Sequence, residues 1–366
     1  MERKKIILVD TSYPINSRNR RIIDSLKDIF GDENVKYVSW NRDGRSIDVK
    51  DSANYIFSFN SPLGDRLKKL RNLVYFRRFL KTSLSDFAPD VIIASHWDSL
   101  VLCTSLKKKS QILIYENLDM PSGGRFVFNI IRYLERISLK KTDAISYASR
   151  FYLPYYTRFH GQHFVLENKV PEFMAIPIEH TTQEDKKLFI AFNGGLRYAE
   201  IFKNLFEAVN GLDNVSLDIY GGDSGEEEVI KKYAEGINNI TFHGPYKYEE
   251  IPAIYSKMDI VWAVYPSNDF NVKHAISNKY HESIFYGVPG IYAKDTLLGE
   301  LADSNKTGYQ VDGYSVECIR DLIIKIRNNK QAEIVEKRRN MESLSVGEKA
   351  SWKELISPLI GYIKAY

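Results

Sequence analysis

Two charged side chains three positions apart are the first residues here that could do chemistry. Lys279 and Glu282 lie in Ser277-Asn278-Lys279-Tyr280-His281-Glu282, with Gly287 and Pro289 following. Residues at i and i+3 share one face of a helix. A glycine with proline just beyond it is a helix stop. Lys279 and Glu282 therefore point the same way near the start of a short helix. A phosphate is held by a cation and a helix N-terminus. A ribose diol is held by a carboxylate acceptor, as in dinucleotide sites. One helical turn supplies both, which suggests half of a nucleotide-sugar pocket. The same spacing also fits an amphipathic helix with a surface ion pair.

A second half-site lies upstream. After the apolar run Leu188–Phe192 come Asn193, Gly194, Gly195, Leu196 and Arg197, and Lys203 stands six positions on (203 − 197). Two glycines after a strand let the backbone approach a ligand and aim N–H groups at an anion. Arg197 offers a planar fork for phosphate oxygens. Lys203 reaches the same anion if the turn is tight. A plain strand-to-helix turn explains the same residues. Neither GxxxxGK[ST] nor GxGxxG occurs, so neither a Walker loop nor NAD is indicated. No Asp-x-Asp triplet and no HExxH-like spacing occur, and metal dependence is not expected.

The elements that position these residues follow a βα rhythm. Short apolar runs alternate with amphipathic stretches, the sign of parallel sheets in an α/β fold. In the first half, strands are expected at Lys5–Val9, Val35–Ser39, Tyr55–Ser58, Val91–Ala94, Gln111–Tyr115, Ala144–Tyr147 and His163–Leu166. Asn19–Phe30 reads as a helix, with Arg18, Arg20 and Arg21 facing solvent or an anion. Asp65–Phe87 is a long basic amphipathic helix, carrying Lys68, Lys69, Arg71, Arg77, Arg78 and Lys81. Such a helix either packs on a core with a solvated basic face or lies on an anionic bilayer. Phe126–Lys141 is another helix with a basic end. The pattern breaks at Ile176–Lys187, a polar linker. It restarts with strands at Leu188–Phe192, Val215–Tyr220, Ile240–Phe242, Ile260–Val264, Gly290–Ala293 and Gly308–Val311. Helices are expected at Phe202–Gly211, Glu226–Glu235, Tyr248–Lys257, Asn278–Tyr286 and Val316–Asn328. The tail from Gln331 reads as helical with a break near Val346–Gly347.

Bulk properties set the bounds. A chain of 366 residues suggests two domains. We place them at 1–178 and 187–345, with 346–366 a helix returning to the first. Hydrophobic content of 44% and charged content of 27% fit a globular protein. A net charge of +4 is too small to argue for nucleic acid. Cys103 and Cys318 make no disulfide framework, which fits a reducing cytoplasm. The apolar run after Lys5 is too short for a secretion signal and reads as a first buried strand. No apolar run approaches the ~20 residues of a spanning helix. The expected location is cytoplasmic, with peripheral contact at the inner membrane face open.

The order of motifs resembles a known family. Asn193-Gly194-Gly195-Leu196-Arg197, then Lys203, the turn at Gly221–Gly222, His243-Gly244-Pro245, Met258-Asp259 and Asn278 through Pro289 occur in sequence. This resembles the C-terminal domain of retaining GT-B glycosyltransferases, group 1 or family-four-like. The likeness covers about Leu188–Asn328. Pro89–Asp98, Leu113–Glu116, Thr142–Ile145 and Val165–Asn168 look more loosely like its acceptor domain. The resemblance implies two Rossmann-like domains whose parallel sheets face a central cleft. It implies that Arg197 and Lys203 grip a diphosphate and that Glu282 accepts from ribose hydroxyls. Lys279 would lie near phosphate or sugar. Gly194, Gly195, Gly222, His243, Gly244 and Asn278 would complete the donor site, with backbone near His243–Pro245 cradling the base. No cofactor is implied beyond a nucleoside-diphosphate sugar as co-substrate, and a UDP-sugar is favoured.

Two departures stand out. A Glu common in the family eight positions before the ribose Glu is His274 here (282 − 8). A His that often follows the strand matching Ile112–Tyr115 is replaced by Glu116, Asn117, Leu118 and Asp119. His96 and Asp119 are the remaining cleft candidates for acceptor chemistry. For His96 a structural histidine at a strand end fits as well, and for Asp119 a solvated loop acid. The leading expectation is a metal-independent retaining transferase acting on a glycan or lipid-linked acceptor in surface polysaccharide or glycoconjugate synthesis. No nucleic-acid partner is expected, and an oligomer is open. The alternative is a non-catalytic GT-B adaptor of a glycosylation complex. An epimerase or phosphorylase on this architecture has no specific mark in the residues.

Overall fold

The computed structural model describes residues 4–61, 66–120, 125–179, 186–222 and 225–366. Asp65 and the linker positions 180–185 fall outside them, as do the side chains of Leu67, Lys69, Leu70 and Phe126. The chain divides into two compact units. The first runs to Glu167 and takes back Lys353–Tyr366; the second is Asn168–Trp352.

In the first unit the elements are β1 (Ile6–Val9), α1 (Ser17–Phe30), β2 (Val35–Asn41), β3 (Tyr55–Ser58), α2 (Arg66–Phe87), β4 (Val91–Ser95), α3 (His96–Leu106), β5 (Ile112–Asn117), α4 (Arg125–Leu139), β6 (Ala144–Tyr147) and β7 (Gln162–Val165). The strands pair in the order β3-β2-β1-β4-β5-β6-β7, all parallel. The runs IILV, VIIAS and ILIYEN are wholly buried. Helices cover both faces of such a sheet, so no polar alternation is needed. Helix α3 was not anticipated. Most of its length is buried, which removes the one-sided apolar stripe that marks a surface helix.

Of the two readings left open for Arg18, solvent or an anion, the structure has the anion: Arg18 is buried and donates from Nε to Glu116 and from Nη1 to the Leu166 carbonyl. Glu116 is fully buried at the end of β5 and also accepts from Ser146. A buried carboxylate needs a partner cation, and α1 brings one. Arg20 pairs with Asp51 at 2.8 Å, and Arg21 is buried too.

The second unit holds β8 (Leu188–Asn193), α5 (Ala199–Val209), β9 (Val215–Tyr220), α6 (Glu227–Tyr233), β10 (Ile240–Gly244), α7 (Ile251–Tyr255), β11 (Ile260–Ala263), α8 (Phe270–His274), α9 (Asn278–Tyr286), β12 (Gly290–Ala293), α10 (Leu297–Ser304), β13 (Gly308–Val311), α11 (Val316–Asn328), α12 (Lys330–Glu342) and α13 (Val346–Lys349). Its sheet is parallel in the order β10-β9-β8-β11-β12-β13. One core cluster lies around Phe192, Leu205, Phe206, Trp262 and Ile323. Another packs Val170 and Met174 with Ala191, Tyr255 and Val288, so the segment after Glu167 belongs to this unit. The helical tail breaks near Val346–Gly347 as expected, at 343–345 and again at 350–351, on either side of the short α13. Helix α14 (Trp352–Ala365) belongs, from Lys353, to the first unit, where Tyr362 packs on Phe164 and Tyr366 donates to the Ser110 carbonyl. Among the described residues no helix is long and apolar enough to cross a membrane.

Candidate functional site

Three neighbouring parallel strands of the second unit end on glycines with positive φ. Gly194 follows β8 at φ 151°, Gly221 follows β9 at 134°, and Gly244 ends β10 at 77°. The Gly194 N–H donates to the Tyr220 carbonyl at 2.9 Å, and the Gly221 N–H to the Gly244 carbonyl at 2.8 Å. A Cβ at Gly221 would sit 1.8 Å from the Gly194 carbonyl oxygen. Only glycine allows these backbones to meet at the carboxyl edge, where open α/β sheets bind ligands.

Helix α9 delivers its charged pair to that edge. Ser277 caps it, accepting from the Lys279 N–H, and Gly287 ends it at φ 66°. Lys279 and Glu282 are both buried and take different partners, so they are not a surface ion pair. The Lys279 ammonium donates to the Tyr265 hydroxyl at 2.8 Å and lies 4.5 Å from the Phe192 ring centre. A Cβ at Gly194 would stand 3.0 Å from that ammonium. The hydroxyl and the ring hold the ammonium beside the glycine turn.

Glu282 is held at the neighbouring residue. Its Oε2 accepts from Tyr255 at 2.9 Å and from the Asn193 amide at 3.3 Å. Burial, with the Glu282 charge second, pushes the Tyr255 hydroxyl well above its usual range, so it stays a donor. Burial and then Glu282 also push the Tyr246 hydroxyl up, while a hydrogen bond with Asn193 opposes this. Asn193, Tyr255 and Tyr265 were not among the expected site residues. Asn193 had a signal, its place before two glycines. The tyrosines had none, because only folding brings them to α9.

The other expected donor residues are placed as follows. Arg197 is exposed, its guanidinium 5.9 Å from the Tyr198 ring, and Gly195 lies beside its Nε. Lys203 is half exposed and lies 3.8 Å from Glu207, one turn along α5. The N-terminus of α5 already has an anion, since Ala199 N–H donates to Glu226 at 2.8 Å. Gly222 faces the Glu227 carboxylate. The His243 side chain pairs with Asp218 at 2.6 Å and stacks on Tyr220 at 4.2 Å. Asn278 is half buried in the first turn of α9. His274 is buried, with Nδ1 2.8 Å from the Phe270 carbonyl.

His96 and Asp119 belong to the first unit. His96 stands at the end of β4, as the first residue of α3, half buried at φ 67°. Asp119 is exposed in the loop after β5. Beside His96 lies a buried group that sequence reasoning passed over. Asp10 follows β1, fully buried, and accepts from Ser12 Oγ at 2.7 Å and Asn19 Nδ2 at 2.7 Å. Asn19 also donates to Ser95 at 2.8 Å. Burial pushes the Asp10 carboxyl up, and the His96 charge is the largest influence in the other direction.

Residues 177–343, which hold this glycine edge and α9, match the profile of the family described as Glycosyl transferases group 1. That stretch, somewhat under half of the chain, resembles the group 1 glycosyltransferase domain. A comparison with curated protein sequences finds no match. Solved structures agree in fold over the whole chain. A sucrose-phosphate synthase from Thermosynechococcus elongatus is 14% identical with a TM-score of 0.75, covering 99% of each chain. Anabaena HepE in complex with UDP and glucose is 14% identical with a TM-score of 0.72, covering 99% of this chain and 100% of that one. The lipopolysaccharide outer core galactosyltransferase WaaB in its apo form is 14% identical with a TM-score of 0.61, covering 98% and 99%. At such identity these likenesses establish the GT-B architecture, two Rossmann-like domains with parallel sheets.

Proposed function

We propose that this protein is a glycosyltransferase that moves a sugar from a UDP-sugar to a glycan or lipid-linked acceptor, with retention and without a metal ion. One observation carries the reading: a buried ammonium and a buried carboxylate flank Gly194 and Asn193 at the tip of β8. In this reading Lys279 would hold phosphate oxygens and Glu282 a ribose diol. Breaking a sugar–diphosphate bond puts negative charge on the leaving phosphate. A fixed cation lowers that barrier because it needs no reorientation, and losing one such group costs about 10²–10³ in rate. Arg197, exposed at the same turn, is free to swing onto the diphosphate, and Lys203 would join it by leaving Glu207. UDP in a complex of HepE supports uridine as the base. A galactosyltransferase of lipopolysaccharide among the structural relatives supports a surface-glycan acceptor.

A non-catalytic adaptor is the second reading. It is favoured by His274, which fills the place of the family's first carboxylate and is engaged with the Phe270 carbonyl. One experiment separates the two. Uridine, guanosine and adenosine diphosphate sugars are screened for protein melting and diphosphate release, with and without a chelator. The transferase reading expects melting to rise and diphosphate to appear with a UDP-sugar, unaffected by the chelator. Stabilisation without release favours the adaptor. Loss of release with the chelator overturns metal independence.

A further inference from the structure

Helix α4 is turned inside out relative to an ordinary surface helix. Its sheet-facing side buries a charge: Glu135 is fully buried, accepting from Tyr115 at 2.9 Å and Tyr156 at 2.6 Å and pairing with Arg132. Its outer side exposes Val127, Ile130, Tyr133, Leu134 and Ile137, each 36% exposed or more. At ~100° per residue these five fall within about a third of the helix circumference, one continuous stripe. Soluble surfaces rarely leave such a stripe bare without a use for it.

The charge beside the stripe says what it meets. Arg136 and Lys140 are exposed along its edge. Right-handed crossovers place α2, α3 and α4 on one face of the sheet, and Arg77 of α2 donates to Ser105 of α3 at 3.0 Å. On that face α2 exposes Val74 and Tyr75 among Arg71, Arg77, Arg78 and Lys81. Among the described residues of α4 and of α2 from Lys68 to Lys81, the only acid is the buried Glu135. A symmetric contact with a second copy would set these cations against each other. Apolar side chains flanked by Arg and Lys instead match the headgroup–acyl boundary of an anionic bilayer.

We propose that this face docks the protein on an anionic membrane surface, with the α4 stripe inserted and the basic side chains of α4 and α2 on lipid phosphates. The surface lies outside the donor site, and the proposal stands independently of the donor reading. The test is co-sedimentation of the full chain with vesicles of phosphatidylcholine alone or mixed with phosphatidylglycerol. Binding is expected only with the anionic lipid and is expected to weaken with salt. Ile130→Asp with Ile137→Asp, and separately Arg136→Glu with Lys140→Glu, should each lower partitioning about tenfold or more. Melting temperature and UDP binding should remain, since neither pair touches the core or the donor site. Absence of binding to anionic vesicles overturns the proposal, as does equal binding by the Ile variant. A dimer in light scattering that the Ile variant dissociates would show a self-interface and also overturn it.

Discussion

Glu282→Gln isolates the claim that this side chain is a nucleotide ligand. Glu282 is buried and accepts from Tyr255 at 2.9 Å and Asn193 at 3.3 Å through one oxygen, Oε2. Glutamine keeps the shape and one acceptor oxygen, so both donors retain a partner. Its stability cost should stay near that of a single hydrogen bond, about 1 kcal/mol. A bound ribose, in contrast, loses a charged acceptor. Hydrogen bonds to charged groups are worth about 1.5–3 kcal/mol, which is about a 10–150-fold loss of affinity. The assay is isothermal titration of UDP into parent and variant in the same buffer, beside a melting curve of each. The expected result is weaker binding by about that factor with melting shifted by only a few degrees. Unchanged UDP affinity in a folded variant would refute the assignment. Glu282→Ala should behave differently, because it strands the Tyr255 hydroxyl and the Asn193 amide, each costing about 1–3 kcal/mol. That variant should lose several degrees as well as the ligand.

Three further outcomes follow from the geometry. Gly221→Ala drives a Cβ into the Gly194 carbonyl at a φ of 134°, and should lower melting strongly and abolish UDP binding; near-parental values in both would show that the edge can open. Arg18→Met strands the buried Glu116, and should cost about 3–5 kcal/mol in denaturant unfolding, whereas a cost under about 1 kcal/mol would mean the pair adds little. Asp10 carries a carboxyl whose folded value is raised by burial, so its proton binds more tightly in the folded state. Its favourable contribution is complete below the unfolded value of 3.8 and is lost as pH rises through the raised folded value. Asp10→Asn should therefore gain melting temperature relative to the parent as pH rises, measured by melting curves of both from about pH 3.5 to 7; parallel curves would deny the shift.

The strands were legible because a parallel sheet buried on both faces writes itself as short apolar runs between helices. IILV, VIIAS and LFIAFN name their own positions. The glycine pair after β8 and the Lys279–Glu282 spacing were legible for a similar reason, since both are local. Three residues fix a turn, and one helical turn fixes a shared face. The helix at His96–Leu106 was not legible, because a helix buried on most sides has no polar period to show. The partners of the charged residues were not legible either. Tyr255 reaches Glu282 across 27 positions, Asn193 reaches it across 89, and Arg18 reaches Glu116 across 98. The sequence by itself determined which backbone segments form sheets and which residue types stand at the carboxyl edge. Only the tertiary structure decided that Lys279 is held by Tyr265, that Arg18 is buried, and that α4 turns five apolar side chains outward. Those outcomes depend on which strands become neighbours, and a charge or a stripe finds its partner only once the sheet order is set.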